Sequence, residues 1–154
     1  MIWPEPVHIS EFSDKRGKTY GFDVPINNSK RAFIVKNDWY VARGFHRQLE
    51  MNRLVMVIEG SIIDVLRNDQ GETREYHLNA GDVLVVPWEL YHGYYTERPS
   101  TVLYVTDKYY LKEDEQNIAD PDYFFHLANK YQTATIIKPK MSIRDMGGKT
   151  DYAI

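Results

Sequence analysis

Between Arg31 and Lys108 the chain is a succession of short apolar runs, each closed by residues that bend the backbone. Arg31 to Val35, Leu54 to Arg67, Arg74 to Leu78, Val83 to Pro87 and Thr101 to Lys108 are rich in Val, Ile, Tyr and Leu. β-Branched and aromatic side chains fit a pleated, half-buried surface. Asn68-Asp69-Gln70-Gly71 and Asn79-Ala80-Gly81-Asp82 separate the runs as turns. Gly60, inside an apolar run, predicts a bend or bulge at a barrel corner. Strands this short and this close together predict an all-β sandwich or barrel. From Pro121 the pattern changes: Tyr123, Phe124, Leu127, Ala128 and Tyr131 recur at helical spacing after Asp120-Pro121-Asp122, which predicts a helix packed on the barrel. Lys140 to Ile154 is polar and reads as a tail. At 154 residues, 43% of them hydrophobic, the chain is long enough for one well-buried core. The expected organisation is one domain over 1–154, with an N-terminal strand segment 1–30, a barrel 31–110 and a C-terminal helix and tail 111–154.

Two spaced motifs lie on these strands. His46, Gln48, Arg53 and Gly60 follow the spacing H-x-x(H)-x4-x(E)-x6-G, and Gly81, Pro87 and His92 follow G-x5-P-x4-H. These resemble the paired motifs of the cupin superfamily, which implies a double-stranded β-helix (jelly-roll) barrel. Metal-binding cupins supply His, His, Glu and His from these positions. Here Gln48 stands for the second His and Arg53 for the Glu. A permanently cationic guanidinium repels a divalent cation where a carboxylate is needed. The expectation is a barrel kept and a metal lost, with no cofactor and with His46 at the centre of acid–base chemistry or binding.

A closer resemblance is carried by six segments in order. Phe12-Ser13-Asp14-Lys15-Arg16-Gly17 resembles F-x-D-x-R-G, Arg43-Gly44-Phe45-His46-Arg47-Gln48 resembles R-G-L-H-x-Q, and Gly60 to Val65 resembles G-x-V-x-D-V. Pro87 to Gly93 is similar to P-x-x-x-x-H-G, Leu103 to Tyr110 to L-Y-x-x-x-x-Y-Y, and Ser142-Ile143-Arg144-Asp145 to S-x-K-D. These are patterns of the dTDP-4-dehydrorhamnose 3,5-epimerases, cupins that act on nucleotide-linked sugars. The likeness runs from Phe12 to Asp145.

That resemblance implies roles. His46 is the general base that removes a proton next to the C4 ketone, and Asp145 is the carboxylate that orients its imidazole. Tyr104 returns a proton on the opposite face of the ring, because return from the same face would regenerate the substrate. Arg53, where the family has lysine, stabilises the enolate oxygen; preorganised charge aimed at developing charge is a large catalytic term. Gln48 and His92 hydrogen-bond the substrate, Arg16 and Arg43 grip the diphosphate with guanidinium forks, and Phe12 packs against the nucleotide. The implied assembly is a homodimer with an exchanged N-terminal segment, and the implied pathway is deoxysugar synthesis for polysaccharide. Each residue also has a plainer reading: a core histidine, one buried aromatic among 12 tyrosines, or a surface arginine.

Several departures bear on substrate. The segment between Ile34-Val35-Lys36-Asn37 and His46 is shorter than in the family, as is the loop between Gln48 and Arg53. Thr19-Tyr20-Gly21 replaces an aromatic run ending in glutamate. A 3,4-ketoisomerase of the small sugar cupins is the alternative, but those continue R-G-x-H with His and Lys, whereas this chain has Arg47-Gln48-Leu49. A non-catalytic sugar-binding cupin is a third reading, and an iron dioxygenase ranks last. Net charge of −3 gives no general attraction to nucleic acid. No apolar run reaches the length that spans a bilayer, and the absence of cysteine fits a reducing compartment, so a cytoplasmic location is the expectation.

Overall fold

The structure is a computed structural model that describes residues 3–117. It contains strands β1 (Ser10–Asp14), β2 (Gly17–Gly21), β3 (Arg31–Asn37), β4 (Val41–Gln48), β5 (Arg53–Glu59), β6 (Ser61–Arg67), β7 (Thr73–Asn79), β8 (Val83–Val86), β9 (Tyr91–Thr96), β10 (Ser100–Thr106) and β11 (Glu115–Asn117), with a 3-10 turn at Lys112–Asp114. β1 and β2 form a hairpin of their own. The others form a four-stranded sheet in the order β3-β10-β5-β8 and a five-stranded sheet in the order β11-β4-β9-β6-β7. Every pairing is antiparallel. This is the expected all-β cupin barrel.

Side-chain alternation explains why the two larger sheets close on each other. In β10, Ser100, Val102, Tyr104 and Thr106 are buried while the residues between them are half-exposed. β6 likewise turns Ile62, Asp64 and Leu66 inward. The core joins Val55, Val57, Leu84, Val86, Val102 and Tyr104 of one sheet to Ile62, Leu66, Tyr76, Leu78 and Tyr94 of the other. Outside it, Leu54 and Val83 on the back of the four-stranded sheet are covered by Val7, Ile9, Phe22 and Ile26 of the N-terminal segment. The Val7 amide donates to the Val83 carbonyl there at 2.8 Å.

The run from Leu54 to Arg67 is two strands, turned at Gly60 (φ +76), where a Cβ would lie 2.7 Å from the Pro99 carbonyl oxygen. The Asn68 turn is fixed by its own side chain, whose Oδ1 accepts from the amides of Gln70 (3.0 Å) and Glu72 (2.9 Å). β4 carries motif residues but little β propensity, since arginine, histidine and glycine dilute it, and its place in the sheet comes from pairing with β9 and β11. β9 sets His92 and Gly93 among Tyr91, Tyr94, Tyr95 and Thr96, which favour strands. Residues 111–117, grouped above with a C-terminal helix, form the 3-10 turn and β11, which pairs with β4. The helix expected from Pro121, the tail and Asp145 lie outside the described residues. Among the described residues, no helix is long and apolar enough to cross a membrane.

One irregularity positions the site. In β4, Arg43 pairs with Tyr94 and Gly44 with Gly93, yet His46 pairs with His92, so Phe45 is the extra residue of a bulge. Residues 43 and 46 are three apart, and strict alternation would send them to opposite faces. The bulge puts each on the same side as its partner, and Tyr94 and His92 are both buried in the barrel. Gly44 makes this possible: it has φ +101, and a Cβ there would sit 2.6 Å from the Gly93 Cα and 2.7 Å from the His92 carbonyl oxygen. These are backbone atoms that cannot rotate away. Gly44→Ala is therefore expected to destabilise the protein by about 3 kcal/mol and to lower Tm by roughly 10 °C. A calorimetric Tm within about 2 °C of wild type would contradict the close approach.

Candidate active site

Near the β4 bulge the barrel interior turns polar. His46 and Gln48 project from β4 and His92 from β9 of the five-stranded sheet, while Arg53 from β5 and Tyr104 from β10 face them from the other sheet. Asp64 of β6 joins them. None of the six is more than 3% exposed. Such groups normally find hydrogen-bond partners when buried. Here His46 Nε2, both amide atoms of Gln48, His92 Nδ1 and the Tyr104 hydroxyl have none. The two imidazole centroids are 5.1 Å apart, and the Tyr104 ring lies edge-on to His92 at 6.2 Å. The Arg53 guanidinium contacts His92 Nε2 through Nη1 and Met51 Sδ through Nη2.

Burial dominates the electrostatics, and the Arg53 charge adds to it or opposes it. Burial lowers the His46 pKa to about 3, helped by the nearby Arg53 cation. His92 is pushed well below its ordinary value by burial, then by Arg53 and His46. Both rings are thus held neutral. Burial drives Tyr104 well above its ordinary value, so it keeps its proton. Asp64 is raised to about 7 by burial, with Arg53 and the Val65 amide pulling the other way. Its oxygens have no side-chain partner. Arg43 reaches the same face from below the bulge, its Nε donating to Asn37 Oδ1 at 2.7 Å; the Tyr94 hydroxyl donates to the same oxygen at 3.0 Å.

The outside of the site is tied down. Arg47, between His46 and Gln48, donates to Gln116 Oε1 (2.8 Å) on β11 and to the Glu89 carbonyl (2.7 Å), and its guanidinium lies 4.2 Å from the Tyr91 ring centre. Asn52 bonds Asp107 through its amide and side chain, both at 2.9 Å, and accepts from the Trp88 amide at 3.0 Å. These contacts join the turn before Arg53 to the loop before His92.

Five of the nine residues singled out in the sequence therefore converge: His46, Gln48, Arg53, His92 and Tyr104. Arg43 lies beside them. Phe12 and Arg16 do not join them. They sit on the β1–β2 hairpin, where Phe12 is 67% exposed and Arg16 pairs with Asp14 at 2.6 Å. Asp145 is outside the described residues. Asp64 is the Asp of the G-x-V-x-D-V pattern but received no role from the sequence, although a carboxylate at the inward position between Ile62 and Leu66 is legible from strand alternation alone. Two surface hollows lie elsewhere, one lined by Ser61, His77, Asn79, Tyr95 and Glu97 and the other by Phe12, Asp14, Arg16 and Lys18. Neither includes any of the converging residues. Among the described residues, no group of three or more His, Cys, Asp or Glu side chains is arranged to hold a metal ion.

Residues 7–150 match the profile of the family described as dTDP-4-dehydrorhamnose 3,5-epimerase. No curated protein sequence matches significantly. Among solved structures, the chain is similar to the dTDP-4-dehydrorhamnose 3,5-epimerase of Bacillus anthracis, at 20% identity and a TM-score of 0.70 over 92% of this chain and 90% of that one. It is similar to a 3′-monoepimerase from Streptomyces bikiniensis, at 16% identity and a TM-score of 0.73 over 93% and 80% of the two chains. A sugar 3,4-ketoisomerase from Thermoanaerobacterium thermosaccharolyticum matches at 20% identity and a TM-score of 0.64, over 84% and 97%. The chain belongs to the dTDP-4-dehydrorhamnose 3,5-epimerase family, and it is an isomerase.

The Asp64 carboxyl gives a pH test. Its folded pKa lies above its unfolded value of 3.8, so the folded state binds the extra proton between about pH 4 and pH 7. Stability is lost as pH rises through that window, by up to about 4 kcal/mol. Asp64→Asn removes this titration whatever fixed offset it adds by leaving Arg53 without its neighbour. The difference in Tm, variant minus wild type, is expected to rise by several degrees from about pH 5 to pH 8. A difference that stays constant would mean that Asp64 titrates normally.

Proposed function

We propose that the protein is a metal-independent epimerase of a nucleotide-diphosphate-linked 4-keto sugar, inverting C3, C5 or both. The observation that carries this reading is the opposition of two groups across the barrel. His46, with an unpartnered Nε2, stands on the five-stranded sheet, and Tyr104, with an unpartnered hydroxyl, stands on the four-stranded sheet. A sugar ring between them meets a proton acceptor on one face and a proton donor on the other, which inversion requires.

In this mechanism His46 Nε2 takes the proton from the carbon next to the C4 ketone. The electron pair moves onto the ketone oxygen, giving an enolate that the Arg53 cation stabilises. Tyr104 then delivers its proton to the opposite face. A base whose conjugate acid is as strong as burial makes that of His46 is inefficient; Asp145, the carboxylate of the S-x-K-D pattern, is assigned to raise that basicity. Gln48 and His92 hold substrate oxygens. Metal independence rests on donor chemistry, since Gln48 and Arg53 occupy the motif positions where metal-binding cupins place a histidine and a glutamate. Arg43 and Arg16 are assigned to the diphosphate and Phe12 to the nucleotide. The exposed β1–β2 hairpin carrying Phe12 and Arg16 reaches the site of a second subunit in a homodimer.

The ketoisomerase reading keeps the same base and differs in product: the carbonyl moves to C3 instead of a centre inverting. The match to a 3,4-ketoisomerase fold supports keeping it as the alternative. Two variants and product NMR test the assignment with a dTDP-linked 4-keto-6-deoxyhexose. His46→Asn is expected to lose both solvent exchange of the α proton and product, by about 100-fold or more. Tyr104→Phe is expected to keep exchange while losing inversion. Full activity in His46→Asn would refute the base assignment, and a product with its carbonyl at C3 would select the isomerase.

A further inference from the structure

Two buried histidines face the same interior, and nothing in the spacing of the motifs says which of them handles the proton. The contact between Arg53 and His92 does. Arg53 Nη1 meets His92 Nε2. A guanidinium is a donor only and stays protonated in proteins, so the ring nitrogen it meets must offer a lone pair. A neutral imidazole with its lone pair on Nε2 carries its hydrogen on Nδ1. His92 Nδ1 is buried and has no partner. The second guanidinium nitrogen is committed to Met51 Sδ, and Arg53 is itself only 3% exposed, so the pair is held on both sides.

We propose that Arg53 locks His92 as the neutral Nδ1–H tautomer, which makes His92 a fixed hydrogen-bond donor to an oxygen of the bound keto sugar and leaves proton acceptance to His46. The lock rests on the geometry of the pair; the identity of the acceptor rests on the function proposed above. The lock gives Arg53 a positioning role besides its charge, since it fixes the hydrogen on the ring that presents it. A buried N–H without a partner is costly to leave unmade, and an acceptor oxygen on the ligand removes that cost on binding. It also explains why two adjacent neutral imidazoles need not compete for one proton: only His46 keeps a ring nitrogen that is neither donating nor engaged by a cation.

The test reads the tautomer directly, with no substrate present. Long-range proton–nitrogen NMR of the full-length protein labelled with nitrogen-15 histidine, at neutral pH, distinguishes the two tautomers, and the His92 signals are those missing in His92→Asn. The expected result is Nδ1–H in wild type and a shift towards Nε2–H in Arg53→Met. Nε2–H in wild type overturns the lock, as does an Nδ1–H signal unchanged in Arg53→Met. Should Arg53→Met not fold, the wild-type tautomer alone decides. The donor role is then read from binding of a dTDP-linked 4-keto-6-deoxyhexose. An asparagine amide can place its N–H near the Nδ1 position and a glutamine amide near Nε2. His92→Asn is expected to bind within about 10-fold of wild type and His92→Gln at least about 10-fold more weakly than His92→Asn, the value of one lost hydrogen bond. Equal or reversed losses overturn the donor role. Failure of wild type to bind this probe at all would overturn the substrate class and with it the donor role, while the NMR result still decides the lock.

Discussion

The close approach of β4 to β9 at Gly44 and Gly93 is the constraint on which the site depends. Side-chain alternation is rigid: in a regular strand the arginine and the histidine of an R-G-x-H segment cannot face the same way. One extra residue at Phe45, opened by a glycine in a conformation that L side chains rarely adopt, turns both toward the interior. The same approach brings His46 opposite His92. A motif that looks like a set of chemical groups is thus half backbone geometry, with Gly44 as necessary to it as the imidazole.

Given that geometry, one buried cation organises the remaining chemistry. Arg53 costs desolvation energy, and the barrel offsets part of it with the carboxylates of Asp64 and Glu115, whose fields favour its charge. With burial, the larger cause, it keeps the neighbouring imidazoles unprotonated, and in the tautomer proposed above it orders His92. The same field would stabilise negative charge appearing on an oxygen in the interior. A metal ion would provide that effect in many cupins; here the motif positions argue for organic groups.

How much of this was legible in the sequence varies by residue. The strands rich in Val, Ile and Tyr, the turns at Asn68 and Asn79 and the corner at Gly60 follow from local propensity. β4 does not, because Arg43, Gly44 and His46 are poor strand formers held by their neighbours' hydrogen bonds; β9 has Tyr91, Tyr94, Tyr95 and Thr96 in its favour, but His92 and Gly93 interrupt the run. The convergence of His46, Gln48, Arg53 and His92 was readable through motif spacing, since each motif is a strand pair, while Tyr104 came from the family resemblance. Asp64 was visible as a polar residue on an inward register and as the Asp of G-x-V-x-D-V, but that pattern assigned it no chemical role. The contact between Arg53 and His92 was out of reach: it joins residues 39 apart in sequence, and only the barrel's closure brings them together. Phe12 and Arg16 show the opposite case, where the sequence pattern is clear and the hairpin that carries it stands apart from the barrel interior.

The account's central claim is that side chains alone move a proton at carbon next to a ketone. It is tested most directly by treating the protein with a strong chelator, verifying metal removal by elemental analysis, and following a dTDP-linked 4-keto-6-deoxyhexose in D2O by proton NMR. The account predicts that the stripped protein incorporates deuterium at C3, C5 or both at the untreated rate. Loss of incorporation on stripping, restored by adding a divalent metal, would contradict it.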